Sequence, residues 1–319
     1  NSTFSNNYNH GLNAGGEQVK IYNNTLLSNA YHGIKALGDD GVIKANTISN
    51  NAASGIYLDG AADAIVEDNT LANNEHGIQV YNNAPRVLLK DNTISDTDKR
   101  GIFVSGSSSN YGVLEANTVT DSGIYGVFIQ HSDYFYLGNN SISGSDTTDL
   151  FFFKATEDNS LMNTTFSTIS VHVNADFTIY NDLKLKFMQN TTVGFDNLEV
   201  KVVNDGATKY STPYYGGTDS TTTSSGLLSR DFYVVNGKGL KYQVYNGSST
   251  PTEVSTTVFY HYGVRDKSSI VNMSTSHTET ITVPAFWKKG LIRNMDQSPS
   301  ERDYSSIQDA IDNASTGDT

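Results

Sequence analysis

The chain has 319 residues, a formal net charge of −13, 17% charged and 11% aromatic residues, no Cys and one Trp. That length allows one elongated domain or two compact ones, and the recurring apolar and aromatic residues exclude a disordered chain. No apolar run approaches the roughly 18 residues of a bilayer-spanning helix. The acidic balance, with no basic patch, argues against nucleic acid. The lack of Cys excludes disulfide scaffolds, Cys-ligated zinc and thiol nucleophiles. The start at Asn1, without Met, points to a mature or excised piece. What stands out is the abundance of Asn (33) and Gly (27).

The first half is periodic. Asn followed by Thr or Ser and an apolar residue recurs at Asn24, Asn46, Asn69, Asn92, Asn117 and Asn140, with a weaker copy at Asn163. A second marker keeps pace: Gly33-Ile34, Gly55-Ile56, Gly77-Ile78, Gly101-Ile102 and Gly126-Val127, preceded by Gly11-Leu12 and followed by Asp149-Leu150. Two markers in phase over about seven copies identify a solenoid. Each unit holds three short β-rich pieces separated by Asn, Asp and Gly turns, with no room for a helix. Three strands of about 4 residues fit one triangular coil of a parallel β-helix, with coils about 4.8 Å apart. Residues 1–168 form about seven such coils.

Stacking turns each repeat position into a column. The motif Asn side chains become a ladder of amides that bond from coil to coil. Two residues earlier, Lys44, Glu67, Lys90 and Glu115 form an outward ladder of alternating charge, which helps to hold coil register. Two residues after each repeat Gly lie Lys35, Tyr57, Gln79, Phe103, Phe128 and Phe151. The aromatics of this outward stripe, Tyr57, Phe103, Phe128 and Phe151, suit either a docking face for a domain or subunit, or a platform for sugar rings. His10, His32 and His76 share the column just before the Gly, but the coil between His32 and His76 carries Ser54. That leaves those two about 9–10 Å apart, a spacing suited to turn stacking and too wide for a shared metal.

From Asp176 to Phe286 the pattern changes to alternating strands punctuated by Asn204-Asp205-Gly206, Gly216-Gly217, Asn236-Gly237 and Asn246-Gly247. Seven or eight strands in about 110 residues predict an antiparallel, Ig-like β-sandwich over 169–290. Residues 291–319 read as a linker and a short helix, with Ile307, Ala310 and Ile311 on one face and Gly317 after it.

The terminal Ser306-Ile307-Gln308-Asp309-Ala310-Ile311 and Gly317-Asp318-Thr319 resemble the entry of right-handed parallel β-helices of the pectin-lyase-like class. The likeness is to archaeal-type surface proteins, with NosD-like and disaggregatase-like relatives, in which such helices cap the open end of a β-helix in tandem with Ig-like domains. The resemblance implies an all-β chain whose last helix caps another unit. It also implies a homo-oligomer or head-to-tail polymer, because an uncapped β-helix end is an adhesive strand edge.

The class includes enzymes, whose hydrolases use converging carboxylates. Asp39, Asp40, Asp59, Asp63, Asp121 and Asp133, with His131, are the candidates, but they read as turn and surface residues, and neither Asp59 nor Asp133 gains a same-column acidic partner on adjacent coils. No cofactor is expected; Ca²⁺ is conceivable but no motif calls for it. Sequons stand at Asn23, Asn139, Asn163, Asn190, Asn246 and Asn272, and also at Asn1 and Asn313, which fits an exported glycoprotein. The expectation is therefore a non-catalytic extracellular structural subunit of a surface layer, sheath or filament. A glycan-binding adhesion module or a polysaccharide lyase or epimerase is the alternative.

Overall fold

A computed structural model describes residues 1–154, 156–232, 239–288, 292–293 and 303–304. The chain divides into two compact units, Asn1–Tyr180 with Gln243–Glu253, and Asn181–Tyr242 with Val254–Thr319.

In the first unit the chain winds through three parallel sheets, one strand per coil in each. The first sheet stacks seven strands from Thr3–Ser5 to Ser141–Ser143, and the second stacks eight from Leu12–Ala14 to Ile169–Val171. The third runs in parallel from Lys20–Tyr22 to Ala175–Asn181 and is extended by Leu240–Asn246, to which Thr252–Glu253 is antiparallel. Register places like residues above one another: Leu26, Ile48, Leu71, Ile94, Val119 and Ile142 in the first sheet. Ile34, Ile56, Ile78, Ile102, Val127 and Leu150 do the same in the second. All are buried, and each such side chain contributes about 1.5–3 kcal/mol.

Every coil turns its three corners through a residue in the left-handed region. One corner uses Asn23, Ala45, Asp68, Asp91, Ala116, Asn139 and Asn163. The next uses Asn6, Ser28, Asn50, Asn73, Asp96 and Asp121, and the third Gln18, Asp40, Asp63, Arg86, Tyr111, Tyr134 and Asp158. Asn and Asp tolerate this conformation best among residues with a side chain, which accounts for much of their excess.

Beside the first corner stands the amide ladder. Asn69, 1% exposed, donates from Nδ2 to Asn92 Oδ1 (3.0 Å) and to the carbonyls of Ile43 and Glu67, and its Oδ1 accepts from the Asn46 backbone N–H (2.9 Å) and Nδ2. Asn24, Asn46, Asn92, Asn117 and Asn140 continue the column. A second ladder runs five residues later through Asn7, Asn29, Asn51 and Asn74, with amide-to-amide bonds of 2.8 to 2.9 Å. The outward charges form discrete pairs rather than a continuous ladder: Lys44 with Glu67 and with Asp68 (3.3 Å), and Lys90 with Glu115 (3.9 Å). Glu67 and Lys90 are register neighbours.

The repeat glycines are explained by close approach. A Cβ on Gly33 would lie 2.6 Å from Ile48 Cγ2 and 2.7 Å from the carbonyl oxygen of Gly55 one coil on, and Gly11 and Gly55 meet the same obstruction. Asp149 takes the place of Gly on the strand Thr148–Phe153. Its buried carboxylate accepts backbone N–H bonds from Ser145, Ser167 and Thr168.

The solenoid runs on past the expected boundary at 168, as far as Tyr180. The rings of Phe152, Phe177 and Tyr245 stack in succession, 4.5 and 4.3 Å apart, so the returning segment Gln243–Glu253 shares this core.

The second unit is also β-rich but departs from the expected Ig-like sandwich. One antiparallel sheet has the order Ala207–Ser211, Glu199–Asn204, Thr256–Tyr262, Arg265–Val271. Leu183–Met188 pairs in parallel with His277–Thr282. Two causes are visible: Thr212–Arg230 is largely irregular, and Gln243–Glu253 belongs to the first unit. Its core includes Phe187, Phe195, Val200, Phe232 and Tyr260. The expected capping helix, with Ile307, Ala310 and Ile311, lies outside the described residues, as does Asn313.

Two outcomes follow. Asn69→Ala strips several buried backbone groups of partners and should cost about 3 kcal/mol or more, whereas Asn24→Ala, at the half-buried start of the ladder, should cost about 1 kcal/mol. Equal losses in urea unfolding would contradict the ladder account. Gly33→Ala should lower the melting temperature clearly, while Gly15→Ala, whose Cβ would meet nothing within 4 Å, should leave it unchanged.

Candidate functional site

The inward and corner positions of the first unit are taken up by folding, which leaves the outward columns of the second sheet as the place for chemistry. Three run side by side. The first holds Ser54, His76, Arg100, Tyr125 and Thr148, with His10 and His32 just before the repeat Gly on earlier coils. The second runs Asn13, Lys35, Tyr57, Gln79, Phe103, Phe128, Phe151. The third holds Asp59, Tyr81, Ser105, Gln130 and Phe153.

The structure brings the four stripe aromatics into one column, interrupted by Gln79. Tyr57, Phe103 and Phe151 are half-buried, and Phe128 is buried by its neighbours. Phe103 and Phe128 stack at 5.4 Å, and Phe128 packs on Phe151 (5.1 Å), Tyr125 (5.1 Å) and Phe153 (5.9 Å). Toward the N-terminus the rings of His10, His32 and Tyr57 stack at 5.1 and 4.5 Å, with Tyr31 edge-on to both histidines. His76 instead tilts onto Phe103 (5.7 Å).

Between His32 and His76 the side chain shrinks to Ser54, and a cleft of about 400 Å³ opens there, lined by Tyr31, His32, Ser54, Glu75, His76 and Gln79. Ser54 Oγ donates to Gln79 Oε1 (2.8 Å), and the Ser54 backbone N–H donates to His32 Nδ1 (3.0 Å), so neutral His32 carries its proton on Nε2. Burial pulls both His32 and His76 down to a pKa of about 4. Glu75 favours the protonated form of each, but burial outweighs it. Burial pushes Glu75 up, yet its bond with Lys99 (2.6 Å) holds it below the usual carboxylate range. Burial raises the Tyr57 hydroxyl to about 12, so this phenol is a neutral donor at any working pH.

The other candidate carboxylates are dispersed and engaged. Asp39 accepts from the Ala62 backbone N–H, Asp59 pairs with Lys35 (3.1 Å), and Asp63 holds Arg86 through two bonds. Asp40 and Asp121 are corner residues, His131 has a left-handed backbone just after the strand Tyr125–Gln130, and Asp133 accepts from the Glu157 backbone N–H. Among the described residues no group of three His, Asp or Glu side chains is placed to hold a metal ion. The sequon residues Asn23, Asn139, Asn163, Asn190, Asn246 and Asn272 are all exposed.

Arg100 and Tyr125 escaped the sequence reading, although they precede the repeat Gly just as His10, His32 and His76 do. The Arg100 guanidinium lies over the rings of Phe103 (4.4 Å) and Phe128 (5.0 Å). The second Asn ladder escaped too, although its spacing of 22 and 23 residues was there to find.

The two buried histidines tie stability to pH. They are neutral in the fold down to about pH 4 but take up protons near 6.5 when unfolded, so the unfolded chain binds more protons between those values. Their contribution is complete above about pH 6.5 and is lost as pH falls toward 4. His76→Gln should flatten the decline in melting temperature over that window; an unchanged slope would contradict the assignment.

Residues 1–142 match the family model described as right handed beta helix region. No curated protein matches the sequence. Among solved structures, a periplasmic alginate epimerase aligns at 18% identity over 53% of this chain and 43% of that one, with a TM-score of 0.43. The A-module of an Azotobacter vinelandii mannuronan C-5 epimerase aligns at 16% identity over 54% of each chain, also with a TM-score of 0.43. The enzymatically active domain of bacteriophage CBA120 tailspike protein 2 aligns at 12% identity over 84% of this chain and 49% of that one, again with a TM-score of 0.43. The chain spans about half the length of these structures. No helix among the described residues is long and apolar enough to cross a membrane. From the family match and the three stacked parallel sheets, the N-terminal part of the chain is a right-handed parallel β-helix.

Proposed function

We propose that the protein recognises a polysaccharide along the outer face of the second sheet, with the cleft between His32 and His76 as its central subsite. The observation that carries this reading is the combination found there. A cleft large enough for a sugar unit opens in a column of side chains, flanked on one side by Tyr57 and on the other by Phe103. Sugar-binding sites need apolar ring faces and a few fixed hydrogen-bonding groups. The rings supply the first, and Ser54, Gln79, the neutral histidines and the Tyr57 hydroxyl supply the second.

Binding is favoured over covalent chemistry because the nearby carboxylates are already engaged by cations: Glu75 by Lys99 and Asp59 by Lys35. An exported location accords with the exposed sequons, each open to a glycosyl donor. An extracellular glycan-binding module is thus preferred to a purely structural surface-layer subunit. A lattice role gives no reason for a polar cleft in the middle of an aromatic face.

The test is a glycan array followed by titration calorimetry on the best binder. Tyr57→Ala and Phe103→Ala should each weaken binding by about tenfold, given the roughly 1 kcal/mol or more that an aromatic contact contributes. Tyr111→Ala, on an exposed tyrosine at the third corner, should leave affinity unchanged. Binding that survives both of the first two substitutions would sink this placement of the site.

A further inference from the structure

We infer that the glycan taken by this face is anionic and that Arg100 is the side chain that receives its carboxylate or sulfate. The inference rests on the glycan-binding reading above and adds the charge of the ligand to it.

The argument starts from which cations on the face are already matched. Lys35 is paired with Asp59 at 3.1 Å and Lys99 with Glu75 at 2.6 Å. Arg100 has no carboxylate within ion-pair distance among the described residues, and its Nε is buried without a hydrogen-bond partner. The Phe103 and Phe128 rings beneath the guanidinium hold it in place. Ring faces accept no N–H fork, however, so the planar donor set that fits carboxylate or sulfate bidentately stays unmatched.

A second, independent feature lies next to it. His76 is the register neighbour of Arg100 one coil earlier; it is 7% exposed, lines the cleft, and its Nδ1 also lacks a partner. Two buried and unmatched nitrogens thus belong to register neighbours on adjacent coils, between the cleft and the aromatic stripe. Burying such groups is costly unless something completes them. A glycan that runs from the cleft past His76 onto the aromatic stripe would bring a charged group to the Arg100 guanidinium, where the apolar surroundings strengthen a charge-assisted bond. The competing account, that Arg100 only covers the phenylalanines by cation–π packing, predicts no preference for charge.

The experiment uses the full chain and hexasaccharides of gluco, manno and galacto backbones. Each is supplied as the neutral chain, as its C6-oxidised uronic counterpart and as a 6-O-sulfated form. The expected result is that a charged member binds about tenfold more tightly than its neutral parent in low salt, with the advantage shrinking as salt is added. Whether the uronic or the sulfated chain leads identifies the anion. Arg100→Met should keep the neutral affinity and lose the preference, and Arg100→Lys should retain part of it. Retained neutral binding also certifies that the variants fold. Equal binding of charged and neutral chains by the native protein, or a preference that survives Arg100→Met, overturns the inference while leaving the glycan site standing. Binding of none of the hexasaccharides overturns both.

Discussion

In the first unit, backbone carbonyls and N–H groups at one corner of the coils, and at a second corner as far as Asn74, lie too deep for water, and buried backbone groups must be bonded. The asparagine amide meets this need at both corners. Its oxygen takes the backbone N–H and the side-chain amide of the preceding coil, while its nitrogen reaches the next amide and nearby carbonyls. Aspartate would lose the donor, and glutamine would add a methylene that the corner has no room for. The amide columns therefore fix the spacing of the coils and their register together, and everything placed on the outer faces inherits that precision.

The dependence is visible where the second ladder changes residue type. After Asn74 the same column continues as Thr97, Ser122 and Ser145, whose buried hydroxyls have no partner. A hydroxyl is too short to span from coil to coil. The first-sheet strands lengthen at two of these coils, to Thr93–Thr97 and Thr118–Ser122, so that backbone pairing replaces the lost side-chain bonds. These coils carry Phe103 and Phe128, and the longer strands keep the corner beside those rings in sheet geometry.

Much of this was legible in the sequence, because it is written in positions that repeat. The ladder Asn and the repeat Gly each answer one local demand, a buried corner and a close backbone approach, and so they recur at the coil period. The second Asn ladder was equally periodic, but it hid among the many other Asn residues. Other features were illegible because they depend on contacts remote in sequence. The return of Gln243–Glu253 to complete a ring stack on Phe177 leaves no periodic trace. Neither does the parallel pairing of Leu183–Met188 with His277–Thr282, which lies across about ninety residues and is indistinguishable in pattern from a sandwich strand. The stripe aromatics were placed in a column, but their mutual burial and the cation lying on them arise from neighbouring columns.

The same contrast explains why the site lies where it does. Inward positions of the second sheet stay aliphatic from Ile34 to Leu150, since any polar group there would lose water without gaining a partner. The column before the glycine faces away from that aliphatic core and passes through His, Ser, His, Arg and Tyr on successive coils. All the outward columns of the second sheet vary in this way, whereas its inward columns do not. The change from His32 to Ser54 opens the cleft, and the change from His76 to Arg100 sets an unpaired cation on the aromatic rings. Each is a departure from repetition on a scaffold stiff enough to tolerate it, so the irregular residues of the outward columns are the ones from which a ligand must be argued.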